Sequence, residues 1–134
     1  MNFLSNAEQK RRKEIVTRTR QMIKEHIRVE DEDETSLTAS YQGYYMQLSF
    51  SSLHPLLVIC LARAVSYTEK TSQYINQLNL SSVLGSHVLN SEIGCYSYRA
   101  TLWLDIILTP ERFFEILSRC IEEANRGYSL LQTC

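Results

Sequence analysis

The sequence predicts a single α+β domain, residues 1–134, in which an antiparallel sheet is packed with helices in the order α-β-β-β-α-β-β-α. Three patterns predict this fold. Apolar residues alternate at period two from Tyr98 to Leu108, as in a strand with one buried face, and the strand passes directly into a helix that opens at Thr109-Pro110. Two further alternating runs flank Gln42-Gly43, which is typical of a hairpin. An amphipathic helix precedes them. Residues 1–6 and 132–134 are expected to be loose termini.

The first helix is predicted from about Ala7 to Ile27, with Asn6 as its N-cap and Gln9 in the capping-box position. The basic run Lys10–Lys13 is interpreted as a solvated helical face, because it lacks the interleaved aromatic residues of a nucleic-acid patch. The acidic run Glu30–Glu34 lacks the spacing of a calcium loop and is interpreted as a solvated connection. The apolar stripe of the helix consists of Ile15, Val16, Thr19, Met22, Ile23, His26 and Ile27.

A two-residue turn at Gln42-Gly43 fixes the register of the hairpin. It places Tyr41 opposite Tyr44, Ala39 opposite Met46 and Leu37 opposite Leu48, and leaves Ser40, Tyr45, Thr38 and Gln47 on the other face. A loop from Ser51 to Pro55 follows. The run Leu56–Val65 is apolar on both faces apart from Arg63, which predicts a central strand.

The second half of the chain is predicted to contain a short helix, two strands and a long helix. Thr68 or Ser66 caps the short helix, roughly Glu69–Leu80, whose inner side carries Tyr74, Ile75 and Leu78. The next strand alternates at Val83, Gly85, His87 and Leu89, and a four-residue turn at 91–94 sets His87 opposite Tyr98 and Leu89 opposite Tyr96. In the last helix Thr109 is the N-cap, Pro110 takes the first position, and the buried stripe is Phe113, Leu117, Cys120, Ile121, Ala124, Tyr128 and Leu131.

The composition narrows the classes of function. A net charge of −1 gives no general attraction to nucleic acid or to anionic membranes. No secretory signal opens the chain, and the longest apolar run, Leu56–Leu61, is far too short to span a membrane. The four cysteines include no CxxC pair, so we expect free thiols and a cytoplasmic location, with Cys60 and Cys120 in the core and Cys95 and Cys134 exposed.

No set of residues amounts to a catalytic, cofactor or metal site, since the chain contains no GxGxxG, GxxxxGK[ST] or HExxH motif. We therefore expect no enzyme activity and no cofactor. The alternative is a small-ligand-binding protein or an enzyme with a site near His87, Tyr98 and Arg99, together with Cys95. A concave pocket at His87 would favour that alternative, and a flat apolar face would favour a binding protein.

The second face of the predicted long strand carries Arg99, Thr101, Trp103, Asp105 and Ile107. This mixture resembles an interface, where aromatic residues and arginine are enriched. We predict a partner-binding or dimer face made of Leu84, Val88, Arg99, Trp103 and Ile107, with Trp103 in or beside the contact of a homodimer. The alternative, equally open at this point, is that a terminal helix covers this face.

The run INQLNLSSVLGSHVLNSEIGCYSYRATLWLDIILTPERFFEIL resembles the C-terminal half of the YbjN domain. It shares a short helix ending at Leu78-Asn79, a strand with Gly85, a strand with Tyr98-Arg99, and Thr109-Pro110 before Phe113. The resemblance extends more weakly over residues 10–131. It implies the type III secretion chaperone-like fold and a role as a bacterial sensory transduction regulator or chaperone-like protein that binds polypeptides as a homodimer. It carries over no catalytic residue, and the near-neutral charge and basic first helix depart from the acidic secretion chaperones.

Overall fold

The computed structural model describes residues 4–51, 54–66 and 68–132. Predictions for residues 1–3, for 52 and 53 in the loop before Pro55, and for Thr133 and Cys134 lie outside the described residues. The elements are α1 (Asn6–His26), β1 (Asp31–Glu32), β2 (Ser36–Tyr41), β3 (Tyr44–Phe50), β4 (Leu56–Ala64), α2 (Glu69–Ser81), β5 (Gly85–Asn90), β6 (Cys95–Trp103) and α3 (Pro110–Gln132). The strands form one antiparallel sheet in the order β1-β2-β3-β4-β6-β5. The predicted α+β class is confirmed.

Helix α1 starts one residue earlier than the sequence predicts. Ser5 rather than Asn6 is the N-cap, because Ser5 has the extended backbone and its hydroxyl accepts a hydrogen bond from the Glu8 amide at 3.1 Å. Along the predicted stripe, Ile15, Thr19 and Ile23 are buried. The start of the helix thus depends on which of two neighbouring capping residues adopts the extended conformation.

The acidic run contains a strand that the sequence analysis missed. Asp31 and Glu32 form β1, which pairs with Thr38 and Leu37 at the edge of the sheet. The Glu32 carboxylate accepts hydrogen bonds from Arg20 and Lys24 of α1, each at 3.0 Å. The run is solvent-exposed as predicted, but the prediction that it is only a connection was wrong, because Arg20 and Lys24 come from a distant part of the chain.

The hairpin prediction is confirmed residue by residue. Strands β2 and β3 pair Tyr41 with Tyr44, Ala39 with Met46 and Leu37 with Leu48. Gln42 and Gly43 both have positive φ, 48° and 88°, as a type I′ turn requires. Strand β4 is central, between β3 and β6, as its apolar sequence predicts. Its one charged residue, Arg63, stacks over the Tyr128 ring, with the guanidinium carbon 4.3 Å from the ring centroid.

Helix α2 is capped by Thr68, whose side chain and that of Thr71 bond each other's backbone amides. Its inner side is Thr71 and Leu78, with Ile75 partly buried. The prediction that Tyr74 faces inward was wrong, because the helix turns its 71–75–78 side toward the sheet and leaves Tyr74 exposed. Val83 is likewise exposed rather than part of the alternation, since β5 begins only at Gly85. The predicted pairs of β5 with β6 are confirmed.

The long strand β6 ends at Trp103, five residues before the predicted end. The Leu104 amide donates a hydrogen bond to the Pro55 carbonyl at 2.5 Å, and the chain bends beyond that point. Leu104 is buried as predicted, but Ile106 is exposed, so the predicted alternation through Ile106 was wrong. Helix α3 begins at Pro110 as predicted, and the Thr109 hydroxyl accepts from the Arg112 amide at 3.2 Å.

One face of the sheet carries the core, and we call it the covered face. It presents Leu37, Tyr44, Met46, Leu48, Leu57, Ile59, Leu61, Tyr96 and Tyr98 to the buried sides of α1 and α3. Helix α2 packs beside β5 and α3 rather than over the opposite face. The opposite face, which we call the open face, is formed by the alternate residues of the same strands.

Candidate functional site

The open face is formed by side chains that the period-two pleat turns away from the core. It contains Thr38, Ser40, Tyr45, Gln47, Val58, Cys60, Ala62, Ser86, Val88, Ser97, Arg99, Thr101 and Trp103. Tyr45 and Trp103 are each 55% exposed and Val88 is 52% exposed. None of the helices in the described residues covers these side chains. Of the two interpretations that the sequence left open, coverage by a terminal helix is therefore excluded for this part of the chain.

The five residues predicted to share this face do not all lie on it. Val88, Arg99 and Trp103 lie on β5 and β6, and Leu84 extends the face just before β5 begins. Ile107 does not belong to the strand, because β6 ends at Trp103. It lies beside α1 instead, in a surface hollow of about 290 Å³ shared with Arg11 and Ile15. The predicted residues thus form a surface that runs from the open face around one end of the sheet.

Trp103 stands at that end of the sheet among charged side chains. Its indole Nε1 donates to the Asp105 carboxylate, and Arg11 Nη1 donates to the Asp105 carbonyl at 2.9 Å. The Arg12 guanidinium carbon lies 5.9 Å from the centre of the indole ring. A half-exposed tryptophan held in place by an arginine and a carboxylate resembles the anchor of a protein interface.

His87 lies on the covered face, where it is nearly inaccessible to solvent. One ring nitrogen, Nε2, is 2.7 Å from the Ser82 hydroxyl, and the other, Nδ1, is 2.6 Å from the Tyr96 hydroxyl. Tyr96 in turn donates to the Ala124 carbonyl at 3.3 Å. These contacts join the end of α2, strands β5 and β6, and α3. Burial lowers the pKa of His87, and the nearby Glu123 carboxylate works in the opposite direction.

Glu123 of α3 holds the segment between α2 and β5. Its carboxylate accepts from the backbone amides of Val83, Leu84 and Gly85, at 2.7, 3.2 and 3.2 Å, and from the Tyr98 hydroxyl at 2.5 Å. Burial tends to raise the pKa of Glu123, but these hydrogen bonds outweigh it and lower the pKa. Burial also raises the pKa of Tyr98, so this phenol is a hydrogen-bond donor, not a nucleophile.

The free edge of β5 is closed by a side chain. Asn79 of α2 accepts from the His87 amide at 2.6 Å and donates to the His87 carbonyl at 3.0 Å, so one amide group takes the place of a neighbouring strand. Sequence patterns did not predict the roles of Asn79 and Glu123. A polar residue on a helix gives no local signal of a contact that forms only when α2 and α3 pack beside β5.

Within the described residues, the space at the alternative site near His87, Tyr98 and Arg99 is too small for a ligand. The space beside His87, lined also by Ser82, Glu123 and Gly127, holds only about 10 Å³, roughly one water molecule. Arg99 lies on the open face, across the sheet from His87 and Tyr98. The backbone also approaches closely here, since a Cβ added at Gly127 would meet the His87 ring at 2.6 Å. The arrangement is that of a packed polar cluster.

The free thiols divide between the two faces. Cys120 is fully buried against the core, where burial raises its pKa to about 11. Cys60 is only half-buried and lies on the open face opposite Arg99, so the prediction that it belongs to the core was wrong. Its strand is central and apolar on both sides, and the local sequence does not reveal that one of those sides is uncovered. Burial raises the pKa of the Cys60 thiol. Cys95 is also half-buried.

In residues 4–51, 54–66 and 68–132, no three His, Cys, Asp or Glu side chains converge in a group that could hold a metal ion. None of the helices in this part of the chain combines the length and the apolar character needed to cross a lipid bilayer.

Two solved structures share this arrangement of elements. One is YbjN from E. coli, described as a candidate transcription regulator, with a TM-score of 0.64 at 12% identity over 84% of this chain and 87% of that chain. The chain has the YbjN-like, type III secretion chaperone-like fold. The other structure is the HopA1-SchA chaperone-effector complex, with a TM-score of 0.62 at 12% identity over 93% of this chain and 98% of the matched chain. No protein-family model matches the sequence, and no curated protein sequence matches it either.

Proposed function

We propose that this protein is a non-enzymatic, cytoplasmic protein-binding module, which acts as a YbjN-like regulator or as a chaperone-like partner of other polypeptides. The observation that carries the proposal is the exposure of Trp103, at 55%, on a sheet face without a covering helix. Large apolar side chains grouped on an uncovered surface mark protein contact sites, because water is displaced from them on binding.

The composition of the open face supports a protein contact. It combines Tyr45, Val88 and Trp103 with short polar side chains and very little charge, and depletion of charge is what distinguishes the centre of an interface from ordinary surface. A similar fold occurs in a chaperone-effector complex, whose chaperone binds a polypeptide. A fold does not by itself specify a function, so the support for protein binding comes from the open face.

We further propose that a second copy of the chain binds the Trp103 end of the surface, through Leu84, Trp103 and Ile107. A two-fold dimer is the commonest arrangement by which a protein buries such a patch. Arg12 and Asp105, which flank the indole, supply the polar rim.

Light scattering tests the dimer on the wild type and on Trp103→Glu. The dimer is expected at micromolar concentration in the wild type and is expected to be lost in the variant, because a buried carboxylate without a partner is costly. Leu80→Glu is the matched control: Leu80 is 88% exposed on α2, away from the open face, so this variant should remain dimeric. A monomeric wild type, or a dimer that survives Trp103→Glu, would overturn self-association through this end.

A further inference from the structure

Arg99 is the one charged residue among the open-face side chains of strands β2 to β6, all of which the structure describes. Apart from Arg63, which lies on the covered side of β4, the other charges lie on the helices, in the acidic run and in the connections. The solvated face of an antiparallel sheet is usually polar. Arg99 is the single cation on the otherwise neutral open face of β2 to β6, on the strand next to the edge strand β5.

The guanidinium group stands clear of its surroundings. Arg99 pairs with Cys60 of β4 and with Ser86 of β5, while Ser97 and Thr101 precede and follow it on the same side of β6. All four neighbours are short, so the long arginine side chain rises above them. Within residues 4–51, 54–66 and 68–132, none of the ion pairs involves Arg99.

We propose that Arg99 selects, for the part of the open face formed by β4, β6 and β5, a segment of another polypeptide that carries a carboxylate between two apolar side chains. This inference rests on the proposed function of the face as a protein-binding surface and adds the chemistry of its partner. Arginine binds a carboxylate through two parallel hydrogen bonds, which also fixes its orientation.

A partner that covered Arg99 without supplying a carboxylate would leave the guanidinium charge desolvated and unpaired. An entirely apolar segment would therefore bind weakly, and a basic segment would be repelled. The same argument disfavours a second copy at this position. A two-fold axis at Arg99 would bring two guanidinium groups together, and Asp31, the acidic residue that shares this row of the sheet, lies at its far edge on β1. Trp103 lies four residues along β6 from Arg99, a distance of about 13 Å. A second copy that binds at the Trp103 end therefore avoids this repulsion.

The geometry also gives the spacing of the partner's side chains. Tyr45, Ala62, Ser97 and Val88 form one row across β3, β4, β6 and β5, directly beside the row of Arg99. With strands about 4.8 Å apart, the two apolar ends of that row are separated by about 14 Å, which an extended segment spans in about four residues. The partner is thus expected to present an acidic residue between two apolar residues about four positions apart.

Selection from a random peptide library displayed on phage tests the inference, with the wild-type protein immobilised at low density so that a second copy does not compete for the surface. Peptides that bind are expected to contain aspartate or glutamate between apolar residues. Arg99→Gln should weaken their binding by roughly tenfold or more, the usual scale for a hydrogen bond to a charged group. Arg99→Lys should weaken peptide binding by an intermediate amount, because an ammonium group keeps the charge but cannot form the two parallel hydrogen bonds of a guanidinium group.

Arg119→Gln is the matched control, since Arg119 lies exposed on α3 and pairs only with Glu122, at 3.7 Å. It should leave peptide binding unchanged, and circular dichroism should show all variants folded. Peptides that require the open face, as judged by loss of binding in Val88→Asp, but show no preference for acidic residues would overturn the role of Arg99 while protein binding stands. A library that yields no open-face binder would overturn both.

Discussion

The covered and open faces of the sheet both carry aromatic residues, but in opposite environments. Tyr44 and Tyr45 are adjacent in β3, yet Tyr44 is 1% exposed and Tyr45 is 55% exposed. On the covered face Tyr44 donates to the Asn125 side chain at 2.7 Å, whereas on the open face aromatic rings meet solvent. A tyrosine in a strand therefore does not by itself reveal which face is the core. What decides it is where α1 and α3 pack, and the face they leave open is the one available to other proteins.

Thiol reactivity should show the largest contrast between the faces. Cys120 is fully buried, so a maleimide reaches it only when the protein unfolds, and its labelling should be slower than in denaturant by roughly a thousandfold or more. Cys60, half-buried on the open face opposite Arg99, should react faster than Cys120 and become protected when a partner covers that face. Mass spectrometry of labelled peptides measures both rates. Equal protection of Cys60 and Cys120 in a monomer would mean that the face is not open.

Removing a large side chain from the covered face should cost far more stability than removing one from the open face. Phe113→Ala deletes a fully buried ring and should lower the free energy of unfolding by about 3–5 kcal/mol. Val88→Ala, at a site that is half exposed, is the control and should change it by about 0.5 kcal/mol or less. Urea denaturation gives both values. A loss for Phe113→Ala below about 1 kcal/mol would contradict the assignment of the faces.

Replacing one buried polar residue of α1 should raise the free energy of unfolding instead of lowering it. Within the described residues, the Thr19 hydroxyl is fully buried and has no hydrogen-bond partner. Thr19→Val keeps the shape and removes the desolvated hydroxyl, so we expect a gain of about 1 kcal/mol in the free energy of unfolding. Thr17→Val, on the exposed side of the same helix, controls for the change in helix propensity. Destabilisation by Thr19→Val beyond that control would show that the hydroxyl is satisfied.

The smallest expected effect concerns pH, through the imidazole on the covered face. Burial holds the pKa of His87 below its ordinary value of 6.5. As the pH falls below about 6.5, the unfolded chain takes up a proton that the folded protein does not, so stability declines until the folded His87 also titrates. Above pH 6.5 the imidazole is neutral in both the folded and the unfolded protein, so it does not make the free energy of unfolding depend on pH. His87→Gln should flatten this part of the stability–pH curve in urea titrations. An unchanged slope would mean that other groups cause it.

At more acidic pH, the Glu123 carboxylate should also make stability depend on pH. Its pKa is lowered in the folded protein, so the stability from its hydrogen bonds to Tyr98 and the Val83–Gly85 amides is present above its unfolded value of 4.5 and is lost as the pH falls further. The effect of His87 thus begins below about pH 6.5, whereas that of Glu123 begins only below about pH 4.5.

Local sequence predicted those features whose cause is local. The Gln42-Gly43 turn, the register of its hairpin, the Thr109-Pro110 helix start and the pairing of His87 with Tyr98 all follow from periodicity and turn chemistry within a few residues. Most of the sheet order was also accessible, since the apolar β4 belongs at the centre.

The sequence by itself thus determined the elements, their order and the two sets of side chains that each strand separates. Tertiary structure alone decided what depends on distant parts of the chain: the strand at Asp31–Glu32, held by Arg20 and Lys24 of α1, and the end of β6 at Trp103. It also decided that Cys60 and Arg99 lie on an uncovered face. The physical reason is that a strand's pleat is set by neighbouring residues, whereas burial is set by which helix packs against it.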